Sequence, residues 1–96
     1  MITDVEILGA DIFPVAKLLD TVLDVERVSV VVGKGDGKDM VVYHVRRADE
    51  RMFLVYSYAA CAVRSAGLVN DLCPCVIQFH KAEGYYTMQV TLNPLA

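Results

Sequence analysis

The sequence has no hydrophobic run long enough to span a membrane. The charge-free stretch over residues 52–63 ends at Arg64, whereas a spanning helix needs about 20 apolar residues. The N-terminal part carries Asp4, Glu6 and Asp11, where a secretory signal would have a basic segment followed by an apolar one. We therefore expect a soluble, cytoplasmic protein without a membrane span.

Cysteine and net charge are also scarce. Cys61, Cys73 and Cys75 make an odd count, whereas small secreted domains usually carry an even set of disulfide-bonded cysteines. Reduced thiols in an intracellular protein are therefore expected. The net charge of −3 lacks the strong basic bias of nucleic-acid-binding domains, so nucleic-acid binding is only a weaker alternative.

Apolar residues, in contrast, are in excess. They make up 55% of the 96 residues, and the mean hydropathy is +0.41, whereas a typical soluble domain is about 45–50% apolar. A chain of this length buries only about 60–65% of its unfolded surface. Because the sequence offers no membrane span, we expect the excess to be buried in a homo-oligomer or against a protein partner.

Turn signals divide the chain into short elements of a single domain, residues 1–96. Residues 11–24 carry apolar side chains at helical spacing, with Asp11 as N-cap and Pro14 in the first turn, and predict a helix. The alanine-rich residues 59–72 predict a second helix. Segments of alternating or β-branched residues predict strands. The predicted strands are residues 2–8, 27–32, 40–46, 52–58, 75–80 and 85–92.

This order, βαβββαββ, predicts an α+β fold. We expect an antiparallel sheet of five to six strands with two helices on one face, in a ferredoxin-like or related arrangement. The strands at residues 40–46 and 52–58 are apolar on both faces. If helices cover one face, the other presents an apolar and aromatic patch, which monomers rarely expose. The pattern therefore predicts a second buried face, used for self-association or for a partner.

Tyrosines and an arginine-rich turn are the candidates for that interface. Tyrosine contributes a large contact area and one polar group, and it is enriched at the energetic centres of interfaces. Ordinary core packing is the alternative for the tyrosines, and Asp49 and Glu50 offset much of the charge of the arginines. The predicted contact residues are Tyr43, Tyr56, Tyr58, Arg46, Arg47 and Arg51.

No motif identifies a catalytic, metal or phosphate site. The glycine-rich residues 33–37 lead into a strand rather than a helix, which favours a hairpin turn over a phosphate-binding loop. The Cys73-Pro74-Cys75 segment is a poor zinc chelate on a strand, and Cys75 and His80 would lie on opposite faces. We therefore predict no cofactor, no metal and no catalytic residue.

The expected function is a non-catalytic protein–protein interaction module. Stoichiometric inhibitors and adaptors of this size, many of them encoded by mobile genetic elements, need no catalytic constellation. The alternative is a small-ligand-binding protein or simple enzyme with a cleft between the sheet and the alanine-rich helix. Cys61, Cys75 and His80 would then be its reactive groups.

Overall fold

The computed structural model describes residues 12–35, 37–46 and 52–92. Within these ranges the chain forms a six-stranded sheet with one α-helix against one face. A short 3-10 turn, Val15–Lys17, follows the first strand. The strands are β1 (Ile12–Pro14), β2 (Val22–Val31), β3 (Met40–Arg46), β4 (Met52–Ser57), β5 (Cys75–Ala82) and β6 (Tyr85–Leu92), and the helix is α1 (Ala60–Leu72).

The sheet is mixed rather than antiparallel. Its strand order is β1-β4-β3-β2-β5-β6, and β1 pairs with β4 in parallel, with Ile12 opposite Leu54. The other neighbouring strands are antiparallel. The fold is α+β, as expected, but the ferredoxin-like order with two helices on one face is not confirmed.

The helix predicted over residues 11–24 is wrong. This segment forms β1, the 3-10 turn and the beginning of β2. Asp20 has a φ of 58°, which ends any helical run because the left-handed region does not continue an α-helix. From there Leu23 and Val25 are buried on alternate positions. Pairing of the start of β2 with β5 therefore overrides the helical spacing.

The remaining predictions are closer. The strands at residues 40–46 and 85–92 are confirmed, and the strand and helix predicted at 52–58 and 59–72 differ by one residue at one end. The strand predicted at residues 2–8 lies outside the described residues. In the described ranges no helix is long and apolar enough to cross a membrane.

The main core lies between α1 and the sheet. Alternate side chains of the central strands point to this face, and α1 contributes Ala66 and Val69. Asn70 fixes the helix, because its Oδ1 accepts a hydrogen bond of 2.9 Å from the backbone N–H of Val28. That N–H lies just beyond the irregularity of β2 between Val25 and Arg27.

A smaller apolar cluster occupies the opposite face. Val42 and Leu54 are buried there, with Met40 and Tyr56 packed beside them. The two-sided apolar character predicted for β3 and β4 is therefore confirmed. His44 of β3 is also buried, and its Nε2 lies 2.8 Å from the Ser29 hydroxyl.

Candidate functional site

A cleft of about 320 Å³ lies between the start of α1 and the strands β3, β5 and β6. Its helical wall carries small side chains, such as Ala62, whereas its sheet wall carries Tyr43, Phe79 and Met88. Small residues facing large ones leave a space that a close-packed interior would otherwise fill. The cleft is mainly apolar, and it lies where the sequence placed the alternative ligand site, between the sheet and the alanine-rich helix.

Tyr43 contributes an unusual polar group to this cleft. The residue is only 1% exposed, and its ring packs edge-on against Phe79 with the centroids 5.1 Å apart. Its hydroxyl is buried and has no hydrogen-bond partner among the described residues. Burial of a hydroxyl without a partner costs about 1–3 kcal/mol, so such groups are rare in folded proteins.

The Tyr43 hydroxyl is a neutral donor. Burial, and secondarily the negative charge that Cys61 can carry, raises the pKa of Tyr43 to about 12. The phenol therefore keeps its proton at any physiological pH. It can donate one hydrogen bond, and the residue that carries it lines the cleft.

The two serine hydroxyl groups that line the cleft form hydrogen bonds with the backbone nearby. The Ser57 Oγ accepts a hydrogen bond of 3.1 Å from the Ala59 N–H. The Ser65 hydroxyl donates to the Ala62 carbonyl oxygen at 3.2 Å. Tyr43 is thus distinguished from these serines by having a buried hydroxyl without a partner in the described ranges.

The three thiols divide between the cleft and the core. Cys61 lines the cleft and is exposed. Cys75 is buried in the core, with its Sγ 3.5 Å from the Sγ of Cys73. Burial and the neighbouring Cys75 raise the pKa of Cys73 to about 12, so that thiol is a poor nucleophile near neutral pH. Among the described residues no group of three or more His, Cys, Asp or Glu side chains could hold a metal ion.

The Cys/His constellation expected for a simple enzyme is not formed. Cys75 points into the core. Because successive side chains of a strand point to opposite faces, His80 lies on the opposite face of β5. There the His80 Nδ1 lies 2.7 Å from the Asp20 carboxylate. Cys61 is on the helix side of the sheet, so the sheet separates it from the imidazole of His80.

The predicted interface residues are also divided. Tyr43 is only 1% exposed and packs in the main core, where it lines the cleft. Tyr56 and Tyr58 pack edge-on with ring centroids 5.7 Å apart, and Tyr58 is 53% exposed. Arg46 is exposed and pairs with Glu26. Arg47 and Arg51 lie outside the described residues.

The glycine-rich loop is a hairpin connection, as predicted. It joins the antiparallel strands β2 and β3, and the Asp39 carboxylate accepts a hydrogen bond of 2.9 Å from the Gly33 N–H. A Cβ on Gly33 would collide with the backbone of Gly37. The glycine at position 33 is therefore explained by the close approach of two parts of the loop.

The sequence argument missed the role of Tyr43 in the cleft. The signal was available, because Tyr43 lies two residues from both Val41 and Val45 and therefore shares one face of the strand with them. An interface role and core packing were both left open for this tyrosine, and its position on that face, which favours the core, was not used to choose between them.

Chemically, this site favours binding over proton transfer. Among the described residues that line the cleft there is no acidic, basic or histidine side chain. Mainly apolar walls with neutral hydroxyl groups, among them the buried one of Tyr43, suit an uncharged molecule that carries an acceptor. Comparisons of the chain with protein-family models, with curated proteins and with solved structures give no match.

Proposed function

We propose that this chain is a binding protein for a small, uncharged, largely apolar molecule that carries a hydrogen-bond acceptor. The observation that supports the proposal is the Tyr43 hydroxyl, which is buried at the cleft without a partner among the described residues. An acceptor in the cleft offsets the cost of burying that hydroxyl. Part of the affinity therefore comes from removing a defect of the free protein.

The walls restrict the ligand further. The described lining contains no charged side chain. A charged ligand would therefore lose its hydration without gaining a partner of opposite charge. A volume of about 320 Å³ lies at the lower end of the range of about 300–1,000 Å³ for ligand sites. The ligand class is therefore a small ketone, ester or amide with an apolar body.

Acetophenone is a suitable probe, because it combines an aromatic ring with one carbonyl acceptor. Titration followed by ¹H–¹⁵N NMR is expected to shift amide signals at the start of α1 and in β6, beside the cleft. Amide signals at the beginning of β4, around Met52, which does not line the cleft, serve as the internal reference and are expected to change little. Shifts spread evenly over the chain, or none at all, would contradict the proposal.

Two variants separate the hydroxyl from the ring. Tyr43→Phe keeps the edge-on contact with Phe79 and removes the donor, so the affinity for acetophenone is expected to fall roughly fivefold to tenfold. Tyr58→Phe removes an exposed hydroxyl and is expected to bind like the wild type. Equal affinities for all three proteins would show that Tyr43 does not contact the ligand.

A non-catalytic interaction module is the second candidate function. Tyr58, Tyr85 and Leu92 are each more than half exposed, and exposed aromatic and aliphatic side chains provide anchors for a protein partner. A photo-crosslinking residue at position 85, with position 81 as the matched control on the same hairpin, tests it in the cell that makes the protein. One discrete adduct from position 85 and none from position 81 is expected; equal labelling from both positions would speak against a partner surface there.

A further inference from the structure

The outer edge of β6 is unprotected in the part of the chain that the structure describes. β6 is the last strand in the sheet order, and no described strand pairs with its outer side. It has eight residues, without charge or proline, and its pairing with β5 is regular throughout. Edge strands are usually blunted by charges, proline, bulges or shortness. The opposite edge follows that rule, because β1 has three residues including Pro14.

The side chains of β6 form a symmetrical pattern. Residues 86–92 are Tyr-Thr-Met-Gln-Val-Thr-Leu, so apolar and polar residues are arranged identically on either side of Gln89. In an antiparallel pair of identical strands related by a two-fold axis, each residue faces the one equally far on the other side of the axis. The strand can therefore pair with its own copy about Gln89 with apolar residues facing apolar ones and polar residues facing polar ones.

We propose that two copies of the chain pair through β6 in antiparallel orientation, with the two-fold axis at Gln89. On the helix side of the sheet, Tyr86 then faces Leu92 of the partner subunit, and Met88 faces Val90 of the partner subunit. On the other side, threonine faces threonine and glutamine faces glutamine. The two six-stranded sheets become one continuous sheet with closed β6 edges.

This pairing uses the apolar surface that the single chain leaves open. Tyr86 is 42% exposed and Leu92 is 60% exposed, and aromatic–aliphatic cross-strand pairs stabilise a sheet. No charged residue lies within the strand, so no like charges meet at the axis. Tyr86 and Met88 also line the cleft, so the second copy extends the outer wall of that cleft.

A register-specific crosslink tests the inference independently of ligand binding. In a Cys61→Ser background, which removes the exposed native thiol, Gln89→Cys brings two Cβ atoms to about 4.5–5.5 Å across the axis. This is close to the spacing of about 3.5–4.5 Å in a disulfide. Thr87→Cys is the matched control, because four residues of offset separate its copies by roughly 14 Å.

Oxidation with diamide is expected to convert Gln89→Cys to a covalent dimer. Thr87→Cys and the background protein are expected to form no covalent crosslink. Diamide takes up the two electrons and two protons that the thiol pair loses. A dimer from Thr87→Cys instead of Gln89→Cys would overturn the register. No crosslink from either variant, together with a monomeric native mass, would overturn the pairing itself.

Native mass gives the second measurement. Light scattering is expected to find about 21 kDa, twice the 10.6 kDa of the chain, for the wild type and for the uncharged variant Gln89→Thr. Gln89→Lys places two ammonium groups at the axis and is expected to weaken the dimer roughly tenfold or more, with unchanged circular dichroism. A wild-type mass of one chain, or a dimer that Gln89→Lys leaves intact, would contradict the proposal.

Discussion

Replacement of Tyr43 by phenylalanine is expected to stabilise the free protein. The substitution removes a buried hydroxyl that has no partner among the described residues and keeps the ring contact with Phe79. Burying an unpaired hydroxyl costs about 1–3 kcal/mol. We therefore expect the free energy of unfolding to rise by at least about 1 kcal/mol, a gain in stability at the cost of ligand binding that is typical of functional sites.

Alkaline pH amplifies this difference. The pKa of Tyr43 is about 12 in the folded chain and has an ordinary value of 10.0 when the residue is exposed. Above about pH 10 the unfolded state loses this proton first, so the wild type loses stability between about pH 10 and pH 12. The full difference corresponds to roughly 3 kcal/mol, and about 1.4 kcal/mol of it is expected at about pH 11. The phenylalanine variant lacks this contribution, whereas both proteins share the alkaline loss that the raised pKa of Cys73 causes.

Urea unfolding, followed by circular dichroism at about pH 7 and about pH 11, measures both effects. The urea concentration at the midpoint of unfolding should be higher for Tyr43→Phe than for the wild type. The dependence of the free energy of unfolding on urea concentration should stay constant, because the surface exposed on unfolding is nearly the same. Tyr58→Phe is the control, since its hydroxyl is exposed and little change is expected. A Tyr43→Phe variant that is less stable than the wild type at neutral pH would refute the reasoning, because the hydroxyl would then have a stabilising partner.

Three further predictions concern the framework around the site. Gly33→Ala is expected to destabilise the chain because the added Cβ would collide with backbone atoms of the loop. Gly67→Ala has open space around the added Cβ and should stabilise α1 by about 0.5–1 kcal/mol. Thermal unfolding should therefore show a lower midpoint temperature for Gly33→Ala and a higher one for Gly67→Ala. Asn70→Ala leaves the Val28 N–H without its partner and should cost about 1–3 kcal/mol, measured by urea unfolding. Burial, and secondarily the charge of a nearby arginine, lowers the pKa of His44 from 6.5. The unfolded chain therefore binds that proton first as the pH falls, and stability should decrease below about pH 6.5 in the wild type but less in His44→Gln.

Local patterns predicted those elements whose side chains alternate or repeat along one segment. β3 was correctly located because its β-branched and aromatic residues form a continuous apolar run, buried on both faces. β6 was located because the partly buried Met88 and Val90 alternate with exposed residues, and the start of α1 was marked by its alanines. Residues 11–24 misled the prediction because Val15, Leu18 and Leu23 do reach the core. They do so from a 3-10 turn and a strand instead of a helix.

Features that depend on distant segments could not be found in this way. The parallel pairing of β1 with β4 and the pairing of β2 with strands on both sides leave no local periodicity. The cleft likewise depends on which side of the sheet α1 covers, and this determines that Tyr43 lines it and His80 does not. The symmetry of β6 about Gln89, by contrast, is visible in the sequence alone, but it acquires meaning only once β6 is known to be an edge strand.

The account depends most on the claim that the Tyr43 hydroxyl binds an acceptor in the cleft. Its most direct test compares the affinities of acetophenone and α-methylstyrene. The two molecules have nearly the same shape, because a =CH2 group in the second replaces the carbonyl oxygen of the first. The ratio of the affinity for acetophenone to the affinity for the hydrocarbon is expected to be roughly fivefold to tenfold larger in the wild type than in Tyr43→Phe. The same ratio of the two affinities in both proteins would contradict the claim.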